Sequence, residues 1–373
     1  MDMDKVAPVV TIPNFMVAIV KIVGNNCNAH CDYCFYRSGN KGAQTMSLGL
    51  LKNIIGQYAA IFPRRAQFIW HGGEPLLAGL PFFEKIIEIQ KDVFPKKAKI
   101  ENCVQTNAIL VNNRWASFFR KHRFSVSVSL DGDKISHDQF RKYRDGRGTF
   151  DDVLRGIHIL RNHQIEPGVI QVITRSSAQR SKENFHFLAD SLGLRSWSIL
   201  HYCDTRKLNP LRKQSLSNKR WADFFKNYID YWIKRGNEDL RIVDLDEFLC
   251  GIWNKVSSLC SLNGKCEEFF CIDWDGKAYP CDGYLSTNPK LAIGDLSSEG
   301  LDEILRGRAW REFLTSAKFA PEECLSCKWY RACHNGCVSY RKDGKYLFCD
   351  ARKQIFIYLE KTIGFQEKGG DMR

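Results

Sequence analysis

The stretch Cys27-Asn28-Ala29-His30-Cys31-Asp32-Tyr33-Cys34-Phe35-Tyr36 spaces three thiols with three and then two intervening residues and offers no fourth. Three protein thiolates leave one position open on a tetrahedral metal or on one corner of a four-iron cluster. An open position is what lets a metal centre take a small molecule. Alone, the trio reads as half a zinc site, as buried thiols or as the cradle of a cluster. Its surroundings narrow the choice. Residues 17–23 read as a buried strand, and Leu48, Leu51, Ile54, Ile55 and Tyr58 recur at helical spacing. The cysteines therefore occupy the loop at the C-terminal end of the first strand of an α/β unit, where such folds place their chemistry.

Further along, residues 67–70, 99–106, 124–130, 168–173 and 196–200 read as buried strands, with helices at 83–93, 112–121, 150–162 and 182–192 between them. Alternation of strand and helix gives a parallel sheet, and right-handed crossovers curl six such units into a partial (β/α)6 barrel of the TIM type. From about residue 215 the pattern changes. A helix near 221–235 leads into residues 250–349, which are short of long periodic elements and dense in cysteine. Two domains are expected: residues 1–235 as the α/β core, and 236–373 as a cysteine-rich module with a C-terminal helix.

With 373 residues, 44% of them hydrophobic, the chain can bury a full core. No apolar run reaches the length of about eighteen residues that a membrane span needs, and the N-terminus Met1-Asp2-Met3-Asp4 is acidic rather than basic. Neither a membrane span nor a signal peptide is indicated, and the cytoplasm is the expected compartment. Fifteen cysteines without a signal peptide do not suit a secreted disulfide framework, which leaves metal binding for most of them. The net charge of +13 is spread along the chain, with clusters at Lys96-Lys97, 141–147 and 206–213. It reads first as a solvated basic surface, and it would suit an acidic electron donor such as a flavodoxin or ferredoxin. No nucleic-acid-binding motif accompanies it.

Several strand ends carry polar residues. His71-Gly72-Gly73-Glu74-Pro75 follows the second strand, with two glycines that let backbone approach a ligand and a carboxylate suited to a cationic amine. Gln105-Thr106-Asn107 ends the third, and Ser129-Leu130-Asp131-Gly132 the fourth. Each also reads as a turn or a helix cap. Their coincidence at one end of one barrel, beside the cysteine loop, argues for a shared ligand.

The cysteine spacing together with Gly72, Gly73, Glu74 and Pro75 resembles the radical S-adenosylmethionine (SAM) family. The resemblance implies that Cys27, Cys31 and Cys34 hold a [4Fe-4S] cluster whose fourth iron binds SAM, and that electron transfer cleaves SAM to a 5'-deoxyadenosyl radical. It also implies that Gly72, Gly73 and Glu74 hold the SAM amino group, with Asn107, Ser129 and Arg141 completing the cofactor site and Tyr33 and Phe35 flanking the adenine. Ser129 is expected at the SAM carboxylate or ribose. His137-Asp138 and Arg141 look like the matching segment of peptide-modifying members.

The C-terminal spacing Cys324-x2-Cys327-x5-Cys333-x3-Cys337, with Cys349 after it and Cys266-x9-Gly276-x4-Cys281 before it, resembles the SPASM extension. Two auxiliary [4Fe-4S] clusters are implied, the first on Cys260, Cys266, Cys281 and Cys337, the second on Cys324, Cys327, Cys333 and Cys349. Cys103, Cys203, Cys250 and Cys271 remain, and read as buried thiols. Full ligation would leave the auxiliary clusters to accept an electron from a substrate radical.

The resemblance extends from about residue 17 to 359 and is nearest to the anaerobic sulfatase-maturing enzymes, which oxidise a Cys or Ser to formylglycine. In Asp275-Gly276-Lys277-Ala278-Tyr279-Pro280-Cys281-Asp282, the carboxylate of Asp282 corresponds to the general base of that family, beside a cluster ligand. A peptide or protein substrate is implied, with Tyr36 and His71 facing it. His71 departs from the Gln usual in sulfatase maturases and favours enzymes that build thioether or carbon-carbon links in ribosomal peptides. Against that, only twenty-six residues precede Cys27, too few for the leader-binding domain many of those carry. A radical SAM dehydrogenase of a sugar or cyclitol would be expected to carry fewer auxiliary ligands.

Overall fold

The computed structural model describes residues 12–37, 44–204, 210–236, 239–287 and 291–367. Its frame is one ten-stranded sheet: β1 (Val17–Lys21), β2 (Arg65–His71), β3 (Lys99–Thr106), β4 (Ser125–Ser129), β5 (Gly168–Ile173), β6 (Ser196–His201), β7 (Arg241–Ile242), β8 (Phe269–Ile272), β9 (Lys277–Tyr279) and β10 (Gly294–Asp295). The spatial order is β10-β9-β8-β1-β2-β3-β4-β5-β6-β7. From β1 to β7 every neighbour is parallel. This is the run of six βα units expected from the alternation, and among the described residues its edges β10 and β7 remain apart.

Local chemistry sets the element boundaries. Ser47 accepts from the Leu50 amide at 3.2 Å and starts the helix Leu48–Ile61; Asn112 accepts from Trp115 at 3.1 Å and starts Asn113–His122. Gly236 in the left-handed region ends the eighteen-residue helix Asn218–Arg235. Helices on the sheet bury Trp70, Phe68, Tyr58, Phe83, Phe119, Trp197 and Tyr228 almost completely. The Trp70 indole, buried with them, donates to Asn102 Oδ1 at 2.9 Å, and Asn102 exchanges hydrogen bonds with Gln90.

Two features of the C-terminal part differ from the sequence expectation. First, the sheet continues past residue 235: β8 pairs in parallel with β1, Val20 opposite Ile272, and β9 and β10 add antiparallel strands outside it. These strands are two to four residues long, too short to register as periodic. Second, residues 250–349 contain the amphipathic helix Arg308–Lys318, which buries Trp310, Phe313, Leu314 and Ala317. The C-terminal helix Cys349–Glu367 packs on Asn218–Arg235, with Tyr358 Oη donating to Asp230 at 2.5 Å. No helix among the described residues is long and apolar enough to cross a membrane.

Candidate active site

The cysteine loop leaves the C-terminal end of β1 and is tied down by backbone. The His30 amide donates to Lys142 O at 2.6 Å and the Asp32 amide to Phe140 O at 2.8 Å, while Cys34 N reaches Cys31 O at 3.2 Å. Burial pushes the Cys27 thiol up to about 12, with the Glu74 carboxylate and the Cys31 and Cys34 thiols adding to it. Burial raises Cys31 to about 11, opposed by the Arg141 guanidinium. Three thiols within one another's field, drawn into a low-dielectric loop, are a donor set that a cationic iron-sulfur centre would stabilise as thiolates. Among the described residues no group of three or more His, Cys, Asp or Glu is arranged to hold a single metal ion.

Strand ends enclose the loop on the β2 to β4 side. Gly72 and Gly73 have φ of +90° and +26°, and a Cβ on Gly73 would lie 1.8 Å from the Asn26 carbonyl oxygen. Only glycine lets this turn touch the residue preceding Cys27. The Glu74 amide donates to that same oxygen at 2.8 Å. The Glu74 carboxylate is wholly buried and accepts from Leu76 N at 3.1 Å, Thr106 Oγ1 at 2.7 Å and Asn107 N at 2.7 Å, fastening the end of β2 to the end of β3. Burial raises its pKa to about 7 against those three donors. Asn107 Nδ2 donates to Asn28 Oδ1 at 2.8 Å and to Cys27 Sγ at 3.7 Å. Gln105 donates to Ser129 Oγ at 3.1 Å, linking β3 to β4.

Arg141, read from sequence also as part of a solvated basic cluster, is 8% exposed. Its Nε lies 3.0 Å from Asp131 Oδ2, which also accepts from the Tyr33 hydroxyl, while Asp131 Oδ1 accepts from Val172 N at 3.0 Å. The guanidinium sits 5.4 Å from the Tyr33 ring, which packs on Phe140 and Tyr202. His137 is buried beside this group, its Nε2 3.0 Å from Thr149 Oγ1. The Arg141 charge is thus internal and faces Cys31. Residues 206–209 of the basic run at 206–213 lie outside the described residues.

On the opposite side of β1 is a charged cluster that the sequence reading did not anticipate in full. Lys21, the last residue of β1, is fully buried and ion-paired to Asp282 Oδ1. His71 is its partner across β2. The Gly72 amide donates to His71 Nδ1 at 2.6 Å, which leaves the hydrogen on Nε2, and burial followed by Lys21 lowers the ring to about 3. Asp282 is held below the usual carboxylate range by Lys21, in spite of burial. The Tyr36 hydroxyl donates to Asp273 Oδ1, and its ring centroid is 5.2 Å from Lys21 Nζ. Phe35, 38% exposed, lies beside Tyr36. Cys271 is completely buried in the same group, within the fields of Lys21 and Asp282. The sequence named Asp282, His71 and Tyr36. It missed Lys21 and Asp273, though a lysine between Val20 and Ile22 in a buried strand was a visible anomaly.

The remaining cysteines fall into two groups. Cys260, Cys266, Cys281 and Cys337 are neighbours whose thiolates would repel one another: burial and then Cys337 raise Cys260 and Cys266 to about 12, and the same two causes raise Cys281. Cys324, Cys327, Cys333 and Cys349 line a second, small cavity with Asn335 and Arg352. Arg352, 5% exposed, reaches Cys333 Sγ at 3.5 Å and Ser261 O at 2.7 Å, and Cys324 Sγ lies 3.7 Å from Asn335 Oδ1. Each group gathers four thiols, the donor number of a fully ligated four-iron cluster.

Comparison with known proteins agrees with this layout. Residues 21–174 match the model of the radical SAM superfamily, and residues 264–328 match SPASM, an iron-sulfur cluster-binding domain. The cysteine-type anaerobic sulfatase-maturating enzyme of Clostridium perfringens is 31% identical over 363 residues, 91% of this chain and 95% of that protein. The serine-type enzyme of Bacteroides thetaiotaomicron is 27% identical, covering 95% of this chain and 91% of its own. The solved structure of native anSMEcpe with bound AdoMet has a TM-score of 0.84 at 29% identity, over 95% of this chain and 100% of that one. The two matched domains bring with them [4Fe-4S] clusters, auxiliary ones included. On identity and coverage together, this chain belongs to the radical SAM family of anaerobic sulfatase-maturating enzymes.

Proposed function

We propose that this chain oxidises a Cys or Ser side chain, within a peptide segment of a sulfatase, to formylglycine. The observation that carries the reading is Asp282, a partly open carboxylate immediately after Cys281, set beside the strand end from which the Cys27 loop departs. A cluster on Cys27, Cys31 and Cys34, with SAM on its open iron, would supply the 5'-deoxyadenosyl radical that takes a hydrogen from the substrate side chain. The chain's own residues do the rest. Gly72 and Gly73 bring backbone against the cysteine loop where an amine can be received, while Asn107, Ser129, Arg141 and Tyr33 surround the same space. Because the Glu74 carboxylate already accepts from three protein donors, the turn's carbonyls share in holding the amine. Tyr36 and His71 Nε2 offer hydrogen-bonding groups to a peptide backbone, and Asp282 takes the proton from the thiol or hydroxyl.

Cys260, Cys266, Cys281 and Cys337 would hold the first auxiliary cluster, and Cys324, Cys327, Cys333 and Cys349 the second; these clusters would take up the electron the substrate radical gives up as it becomes an aldehyde from Ser, or from Cys a thioaldehyde that water converts to formylglycine with release of hydrogen sulfide. Residues 1–235 then form the radical core and 236–373 the auxiliary module. A flavodoxin- or ferredoxin-like protein is the electron donor, and the cytoplasm the compartment.

The test is anaerobic incubation of the reconstituted protein with SAM, a reductant and a Cys-x-Pro-x-Arg peptide or its Ser counterpart, following peptide mass and 5'-deoxyadenosine together. Formylglycine in step with deoxyadenosine is expected. Deoxyadenosine with both peptides unchanged would overturn the maturase reading and redirect the search, as His71 suggests, to cross-linked ribosomal peptides.

A further inference from the structure

Lys21 ends a strand whose other residues are Val17, Ala18, Ile19 and Val20, and it is followed by Ile22 and Val23. An apolar residue would fill such a position without cost, whereas a wholly buried ammonium loses its hydration and needs a partner. Its partner is Asp282, whose side chain keeps 29% of its surface exposed. The pairing is one-sided. Oδ1 of Asp282 is out of contact with solvent and against Lys21 Nζ, and Oδ2 has no partner among the described residues. The root of the lysine, its Cβ and backbone, packs against Gly72, and the ammonium at its tip lies 5.2 and 5.8 Å from the ring centroids of Tyr36 and Phe35.

We propose that Lys21 is a positioning residue of the reaction: its ammonium pins Oδ1 of Asp282 and so presents Oδ2 alone to the substrate's thiol or hydroxyl hydrogen. The inference rests on the formylglycine reading, in which that hydrogen leaves as a proton. Without the pin, the Asp282 carboxylate can turn about its side-chain bonds, and proton removal loses its alignment. Lys21 touches neither substrate nor cofactor in this account and acts through Asp282.

The experiment measures formylglycine formed per deoxyadenosine in holoenzyme carrying Lys21→Met, Lys21→Arg or Lys21→Ala, with Asp282→Asn and the Lys21→Met/Asp282→Asn pair alongside. Lys21→Met is expected to lower the ratio roughly ten- to a hundredfold through kcat, with the KM for peptide little changed. Lys21→Arg keeps a cation and retains most of the ratio, and ethylammonium added to Lys21→Ala restores part of it. The double variant is no worse than Asp282→Asn alone. A ratio in Lys21→Met equal to that of the unaltered protein overturns the inference, as does a lowered ratio with neither amine rescue nor arginine tolerance. If the unaltered protein makes deoxyadenosine and no formylglycine, it is the maturase reading that has failed.

Discussion

Gly73→Ala is the substitution whose cost can be worked most directly from the structure. The added methyl carbon would stand 1.8 Å from the Asn26 carbonyl oxygen and 2.6 Å from its carbon, against an ordinary contact of 3.4 Å or more. The Asn26 peptide, or the glycine turn, must move by about 1.5 Å. That movement breaks the Glu74 N to Asn26 O bond, at about 1 kcal/mol, and forces a crowded contact, at about 1–3 kcal/mol. Alanine at φ +26° adds about 1 kcal/mol. For a chain of 373 residues the total of roughly 3–5 kcal/mol corresponds to a fall in Tm of about 4–6 °C. Because Asn26 precedes Cys27, the displacement is passed to the cysteine loop. Anaerobic thermal unfolding, iron content and deoxyadenosine formation are the assays, with Gly49→Ala as control, since a methyl there meets nothing within 4 Å. A Gly73→Ala protein with unaltered Tm, iron content and SAM cleavage would refute the reasoning that this turn and the cysteine loop are packed backbone to backbone.

Cys34→Ala should abolish deoxyadenosine formation while leaving the iron of the auxiliary sites in place; retained cleavage would remove Cys34 from the cluster. Arg352→Leu deletes the guanidinium 3.5 Å from Cys333 Sγ, so the midpoint potential of the second auxiliary cluster should fall in an EPR-monitored redox titration, and an unshifted potential would show that the contact is only structural. His201 and His71 are both held neutral by burial down to about pH 3, whereas in the unfolded chain each takes up a proton below about 6.5. The unfolded state therefore binds more protons in that window, and stability is lost as the pH falls. Between pH 6.5 and 5.5 the loss is on the order of 1 kcal/mol per histidine by proton linkage. His201→Phe, in a cage of Trp221, Tyr340 and Phe348, should remove one such share of the slope in anaerobic urea titrations at the two pH values.

The core was legible because parallel strands buried on both faces write themselves as apolar runs. The strands at 99–106 and 168–173 and the helix at 150–162 fall where the residues place them. The glycine turn was legible because positive-φ glycines leave few substitutes, and the cysteines stood out because metal donors do as well. The pairing of β8 with β1 was not. A four-residue strand carries no period, and nothing local in Phe269–Ile272 says which edge it will seek. Missing that pairing also hid the joining of Lys21, Asp273 and Asp282, residues more than 250 positions apart at the extremes. Arg141 reads two ways, as a cofactor-site residue and as part of a basic cluster. In sequence it stands in a basic run, and only the fold puts Asp131 beneath it.

The strand β1 is hydrogen-bonded on one side to β2, which carries the glycine turn, and on the other to β8, which leads to Asp273, Cys281 and Asp282. Neighbouring strands stand about 4.8 Å apart, so this one strand acts as a ruler between the glycine turn beside the cysteine loop on one side and Asp273 and Asp282 on the other. The ruler cannot be adjusted by moving one half of the chain against the other, because the halves share its edges. A fragment ending after residue 235 would bare the edge of β1 from Val17 to Val20, an apolar edge ready to pair with another copy of itself. The residues beyond 235 are thus not an attachment to a finished sheet but a continuation of it, and grafting a different C-terminal part would require matching that edge first.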